Sequence, residues 1–247
     1  QSTCPEVAIG LPTPRPALRL VQSKTGEVRL KFSNGSEGDL TEQMKDYSIE
    51  YLRRFNQFSG YIVCAKSPSC GLKRVRVYDP IGNGNKKSGT GIFTENLKRI
   101  MPWLPIEEDG RLNDPYIREN FITRVFALNE LNQLKINNFT RQTLIDFHTR
   151  YKLLLLAHSQ PLYRQLGRFV ANNKDWDSLD TFFVEYRNRF MALLQHQATR
   201  RNHTNVLMHV QGYFKQDLTS KQRQALSQLI LEYRQGIQPL LAPLTLI

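Results

Sequence analysis

Tyr61-Ile62-Val63-Cys64-Ala65-Lys66-Ser67-Pro68-Ser69-Cys70-Gly71 leads from a short apolar run into a tight turn. The run is bounded by Gly60 and by Ser67-Pro68. It reads as a buried strand of a parallel sheet, because strands covered on both faces lose the polar–apolar alternation. The turn places hydroxyls, a lysine and a thiol at the end of that strand, where an open α/β sheet presents its ligands. Cys70 suits a nucleophile, a metal ligand or a structural thiol there. Cys64, inside the apolar run, reads as a buried structural thiol.

Working outward, residues 39–55 predict a helix, with Leu40, Met44, Tyr47, Ile49 and Tyr51 at near-helical spacing and Thr41 or Asp39 as its cap. Val75-Arg76-Val77-Tyr78 alternates and stops at Asp79-Pro80, a strand signal. Residues 82–91 form a Gly-, Asn- and Lys-rich loop without the Gly-x-x-x-x-Gly-Lys-Ser spacing of a phosphate-binding loop. It reads as a mobile surface turn, and residues 92–101 as a helix ahead of Pro102. Past Pro105 every segment carries helical periodicity: 115–133, 140–157, 161–172, 178–199, 203–214 and 220–233. The expected architecture is an α/β N-terminal domain, a parallel sheet with flanking helices over residues 1–109, followed by an all-α domain over residues 110–247.

The chain has 247 residues and a formal charge of +12, with 40% hydrophobic and 23% charged residues. That composition suits a folded globular protein and argues against wholesale disorder. The first 110 residues hold 16 Lys and Arg against 12 Asp and Glu, and the rest hold 18 against 10, so the basic excess sits in the helical half. Nucleic acid is the first partner to consider, since cationic surfaces release counterions from phosphates. A solvated basic face is the plain alternative. Interleaved basic and aromatic residues in His148-Thr149-Arg150-Tyr151-Lys152, Arg200-Arg201-Asn202-His203 and Tyr213-Phe214-Lys215 make Arg150, Lys152, Arg200, Arg201, His203 and Lys215 the RNA-binding candidates. The same pattern also suits amphipathic helices.

Three cysteines and no zinc spacing point to a reducing, cytoplasmic setting rather than a disulfide scaffold. The longest apolar run, residues 153–157, is far short of the roughly 20 residues that cross a bilayer, so no membrane partner is expected. All five histidines, at 148, 158, 196, 203 and 209, fall in the helical half, at spacings that put few on one face. Near the start, Cys4-Pro5-Glu6 sets a carboxylate two residues from a thiol, a weak signal by itself.

Cys4-Pro5-Glu6, Gly10-Leu11-Pro12-Thr13-Pro14-Arg15, Asp39-Leu40-Thr41-Glu42-Gln43-Met44 and Lys66-Ser67-Pro68-Ser69-Cys70-Gly71-Leu72 together resemble the thiouracil desulfidase (TudS) family, over residues 4–105. The remainder resembles the YbgA-type helical domain, on Leu104-Pro105-Ile106-Glu107-Glu108-Asp109-Gly110-Arg111-Leu112, residues 147–152 and residues 203–209. Proteins joining the two are similar to bacterial desulfidases that return 4-thiouridine in tRNA to uridine. The resemblance implies a 4Fe-4S (four-iron four-sulfur) cluster held by three cysteines, one iron being left open for the thiocarbonyl sulfur, and a hydrolytic outcome without net redox change. Carried onto this sequence, Cys4 and Cys70 match two cluster-binding iron ligands, Glu6 the residue that activates water, and Ser67 the group that delivers a proton or positions substrate. The family's other ligand cysteine lies in a Ser-x-Cys-Leu-Leu-Gly segment, expected upstream of Gln1. The helical domain is likewise expected to continue past Ile247, so the chain reads as truncated at both ends. The alternatives are a desulfidase of free thiouracil and a non-catalytic RNA-binding or regulatory protein. A homo-oligomer is compatible with each.

Overall fold

Alternating apolar residues at 18–32 fold into a hairpin, in which β1 (Leu18–Gln22) and β2 (Val28–Phe32) pair antiparallel from Leu18 opposite Phe32 to Gln22 opposite Val28. Leu20 and Leu30 face each other in full burial. The structure, a computed structural model, describes residues 3–54, 57–83, 86–137, 139–173 and 176–247. Phe55, at the end of the expected helix, and Gly84 and Asn85 of the glycine-rich loop lie outside them.

β4 (Val75–Tyr78) joins β1 in parallel, and β5 (Lys86–Gly89) joins β4 antiparallel, giving a sheet of order β2-β1-β4-β5. The expected strand at the centre of the opening stretch is β3 (Tyr61–Val63), which pairs in parallel with β6 (Ile106–Glu108) in a second, two-stranded sheet. The α/β layer is therefore present, but its larger sheet is mixed rather than purely parallel. Short connections between β1 and β2 and between β4 and β5 return the chain antiparallel, whereas the parallel pairs are joined through intervening helices. The glycine-rich segment read as a mobile loop contributes β5.

Two helices pack beside these strands: α2 (Thr41–Arg54) and α3 (Ile92–Ile100). Tyr47, Tyr51, Phe58, Tyr61 and Phe93 form one aromatic cluster, with neighbouring ring centroids 5.5–6.3 Å apart. At the cap of α2, Asp39 Oδ1 accepts from the Thr41 amide at 3.0 Å and the Thr41 hydroxyl at 2.5 Å, while Thr41 Oγ1 accepts from Leu30 N at 2.8 Å. The cap thus also ties the helix to β2.

From Pro115 onward the described elements are all helices: α4 (Pro115–Asn137), α5 (Arg141–His158), α6 (Gln160–Ala171), α7 (Leu179–Leu194), α8 (Arg200–Tyr213), α9 (Ser220–Gln235) and α10 (Leu241–Leu246); α1 (Pro5–Ala8) opens the chain. The segment expected as one helix to Thr199 ends at Leu194. Thr199 instead accepts from Asn202 N at 3.2 Å and caps α8, so Arg200 to His203 form that helix's first turn. No helix among the described residues is long and apolar enough to cross a membrane. The chain divides into two compact units, residues 1–132 and 133–247.

Candidate active site

The turn after β3 is built by hydrogen bonds within the Ser-Pro-Ser-Cys-Gly element. Ser67 Oγ accepts from the amides of Ser69 (3.2 Å) and Cys70 (3.1 Å), and Gly71 N donates to Ser67 O at 2.8 Å. The first amides of a helix lack intrahelical acceptors. In α3 they find them here: Ile92 N donates to Pro68 O, Phe93 N to Ser69 O, and the Thr94 hydroxyl to Cys70 O at 2.5 Å. Gly91 N donates to Gly71 O. The approach is so close that a Cβ at Gly91 would stand 2.4 Å from the backbone carbonyl of Ser69 and 2.6 Å from Cys70 N.

Two acidic residues, at the end of β6 and just after it, clamp the turn from outside. Buried Glu108 accepts from Leu72 N (3.0 Å) and Lys73 N (3.2 Å), and Asp109 Oδ1 accepts from Ala65 N (3.2 Å). Lys66 and Arg74, on either side of this loop, hold left-handed φ values of 63° and 56°, a conformation that strains residues other than glycine.

Cys4-Pro5-Glu6 reaches the same place from the other end of the domain. Pro5 opens the short α1, where a missing N–H costs nothing. Gln43 of α2 donates to Ile9 O at 2.8 Å and anchors the segment. Glu6, 15% exposed, accepts from Ser69 Oγ at 2.7 Å through Oε1 and from Arg15 Nε at 2.5 Å through Oε2. Arg15 also donates to Cys4 Sγ at 3.4 Å. One guanidinium therefore links the carboxylate to the thiol.

The Cys70 thiol is pushed up to about 12, first by burial and then by the charges of Cys64, Glu6 and Cys4, with hydrogen bonding from Ser67 opposing the rise. Cys64, Glu6 and Cys4 are thus each within electrostatic reach of Cys70. Cys64 corrects the sequence reading: β3 ends at Val63, and Cys64 is exposed beside the site rather than buried in a strand. Ala65 bonding to Asp109 and the left-handed turn at Lys66 take the chain out of the sheet at that point. Among the described residues, no set of three or more His, Cys, Asp or Glu side chains stands close enough to hold a metal ion. Thiols are the donor type that an iron–sulfur cluster takes, and the bonds from Arg15 to Cys4 and Glu6 and from Ser69 to Glu6 bring the Cys4 segment to the turn that carries Cys70.

Sequence reasoning picked out Cys4, Glu6, Ser67 and Cys70, and these come together. It missed Ser69, fully buried, and Arg15, the two partners of Glu6. Ser69 sat in view inside the quoted motif; Arg15 gave no local signal, since only the fold turns it back onto Cys4.

The model of the 2-thiouracil desulfurase family matches residues 1–109, and that of DUF1722, a protein of unknown function, matches residues 152–247. The YbgA protein of Escherichia coli (strain K12), itself described as uncharacterized, is 55% identical over 126 residues, 51% of this chain and 75% of that protein. The chain belongs to the YbgA family, and its residues 1–109 are similar to 2-thiouracil desulfurase. No solved structure matches it. In this YbgA relative the segment between the two family matches, residues 110–151, includes α4, whose Phe121 and Val125 crowd against Gly60 ahead of β3.

The RNA-binding candidates fall into separate groups. Arg200 donates to Tyr233 O at 3.1 Å and lies over that ring, and His203 Nδ1 is 2.7 Å from the Tyr233 hydroxyl. Lys152 lies over Tyr213 at 5.1 Å, at the opposite end of α8. A 14-residue helix is about 20 Å long, so Arg200, Arg201 and His203 stand well apart from Lys152 and Lys215. Arg150 lies over Phe147 at 5.9 Å.

Proposed function

We propose that this chain is a non-redox desulfidase that converts 4-thiouridine in tRNA to uridine. The observation that carries the reading is the 2.7 Å hydrogen bond between Ser69 and Glu6, 63 residues apart, which merges the Cys-Pro-Glu and Ser-Pro-Ser-Cys elements into one site. Cys4 and Cys70 would hold a 4Fe-4S cluster as two of its thiolate ligands. When bound, the cluster supplies an electrophilic iron for the thiocarbonyl sulfur. Glu6, oriented by Ser69 and Arg15 on its two oxygens, takes a proton from the attacking water, each oxygen retaining acceptor capacity. Water oxygen bonds to the ring carbon, the carbon–sulfur bond breaks, and sulfur leaves as sulfide without change of oxidation state. Ser67 holds the turn that presents Cys70 and passes a proton to the departing sulfur. The basic helical half would carry the tRNA.

The test is anaerobic reconstitution of the protein, followed by iron and sulfide analysis and assay on thiolated tRNA. Conversion to uridine that disappears in Cys70→Ala and Glu6→Gln is expected. A chain that binds no iron and leaves both tRNA and free thiouracil unchanged overturns the reading. The description of the matching family names 2-thiouracil, which favours the free base as a second substrate reading. Turnover of thiouracil without turnover of tRNA would select it.

A further inference from the structure

The helical unit holds a cleft of about 470 Å³, lined by Gln165, Arg168, Phe169, Asn172, Trp176 and Arg189, within the range of roughly 300–1,000 Å³ found for small-ligand sites. Gln165 and Arg168, three residues apart, share one face of α6, and Asn172 is the residue that ends that helix. Among the described residues, no hydrogen bond engages the side chains of Gln165, Arg168 and Asn172. Arg189 of α7 lies over the Phe169 ring at 4.7 Å and donates through Nε to Glu185 at 2.5 Å. Phe182 stacks on Phe169 at 5.0 Å. Phe169 is thereby enclosed, and half-buried Trp176, set edge-on to it at 5.4 Å, is the aromatic surface that remains. Arg141 donates to the carbonyls of Asn173 and Trp176.

The cleft therefore presents an indole, two guanidinium groups and two carboxamides. Guanidinium pairs with phosphate in a fork, an indole stacks on a base, and a carboxamide offers a donor and an acceptor to a base edge. The combination is specific: an acidic peptide would use the arginines but leave the indole and amides without purpose. Arg200, His203 and Lys152, picked out by sequence, are meanwhile engaged with tyrosines of their own unit.

We propose that this cleft binds one unpaired nucleotide of an RNA, its phosphate on Arg168 and Arg189 and its base on Trp176 between Gln165 and Asn172. The proposal rests on the reading that the substrate is carried on RNA. The chain has two tryptophans, so Trp103→Phe leaves Trp176 as the sole emitter. In that background, titration of the full chain with labelled tRNA and with a short single-stranded oligoribonucleotide reads anisotropy and Trp176 emission together. Quenching that tracks binding is expected. Arg168→Gln, at an exposed position, is expected to weaken binding about 10-fold and lower the salt slope by about one. Trp176→Ala is expected to lose at least about 10-fold and Trp176→Phe to recover most of it. RNA binding with unchanged emission and undiminished affinity in Arg168→Gln and Trp176→Ala overturns the cleft but not the RNA reading. Absence of RNA binding by the unaltered chain overturns both. Quenching by uridine 5′-phosphate but not by RNA, or equal competition by polyglutamate, assigns the cleft elsewhere and overturns the proposal.

Discussion

At the scale of single residues, the site is governed by who holds Glu6. Ser69 donates to one carboxylate oxygen and Arg15 to the other, so the orientation of the carboxylate depends on both. A hydrogen bond to a charged group contributes about 1.5–3 kcal/mol. Ser69→Ala is therefore expected to lower kcat/KM about 10- to 100-fold while leaving iron content unchanged, because the hydroxyl it removes is bonded to the Glu6 carboxylate. Glu6→Gln keeps the shape but loses the base, and its expected loss in kcat is about 10²- to 10⁴-fold, read by sulfide release. Ser67 and Cys70 were legible in the sequence because they lie together in a compact motif. Arg15 was not, since its partners Cys4 and Glu6 are brought to it only by the path of the chain after α1.

Between elements, two contacts decide local integrity. The first is α3 against the 67–71 turn, where a Cβ at Gly91 would meet backbone atoms that have no freedom to move aside. Overpacking of this kind costs about 1–3 kcal/mol or more. Gly91→Ala is expected to lower the melting temperature and to displace Cys70, seen as a loss of iron binding. The second contact joins α5 to α7: His148 Nδ1 lies 3.3 Å from the Tyr186 hydroxyl, with Tyr163 stacked beside the imidazole. Burial lowers the His148 pKa to about 4, against an ordinary value near 6.5. The unfolded chain then binds the extra proton first. Stability is full above about pH 6.5 and falls as pH drops towards 4, by up to ~3 kcal/mol. Urea midpoints across that window are expected to fall in the unaltered chain and to be flatter in His148→Gln. Helix periodicity located α5 and α7, but nothing in their sequences paired position 148 with 186.

For the whole molecule, the division into units falls inside α4, at 132/133, beyond the family match that ends at residue 109. Phe121 and Val125 pack against Gly60, and Ser59 donates to Asn129 at 3.3 Å. A chain cut after residue 109 would leave that apolar surface bare, at about 1.5–3 kcal/mol per large side chain. It is expected to melt lower and yield less soluble protein than one cut after residue 132, by thermal melts and sedimentation of the two. The opening stretch, residues 61–71, shows where sequence reading reaches and where it stops. The apolar run, the turn, the helical periodicity of the second half and the cysteine motifs are local patterns, and local patterns disclosed the α/β-then-α order, the family and four of the site's residues. Strand direction and partners were settled only by tertiary structure, because pairing depends on chain path and not on the residues of one strand. The same holds for Cys64, whose apolar neighbours suggested burial until the bond from Ala65 to Asp109 turned the chain outward. Arg15, Ser69 as a partner of Glu6, and the cleft between α6 and α7 likewise depend on groups distant in sequence meeting in space.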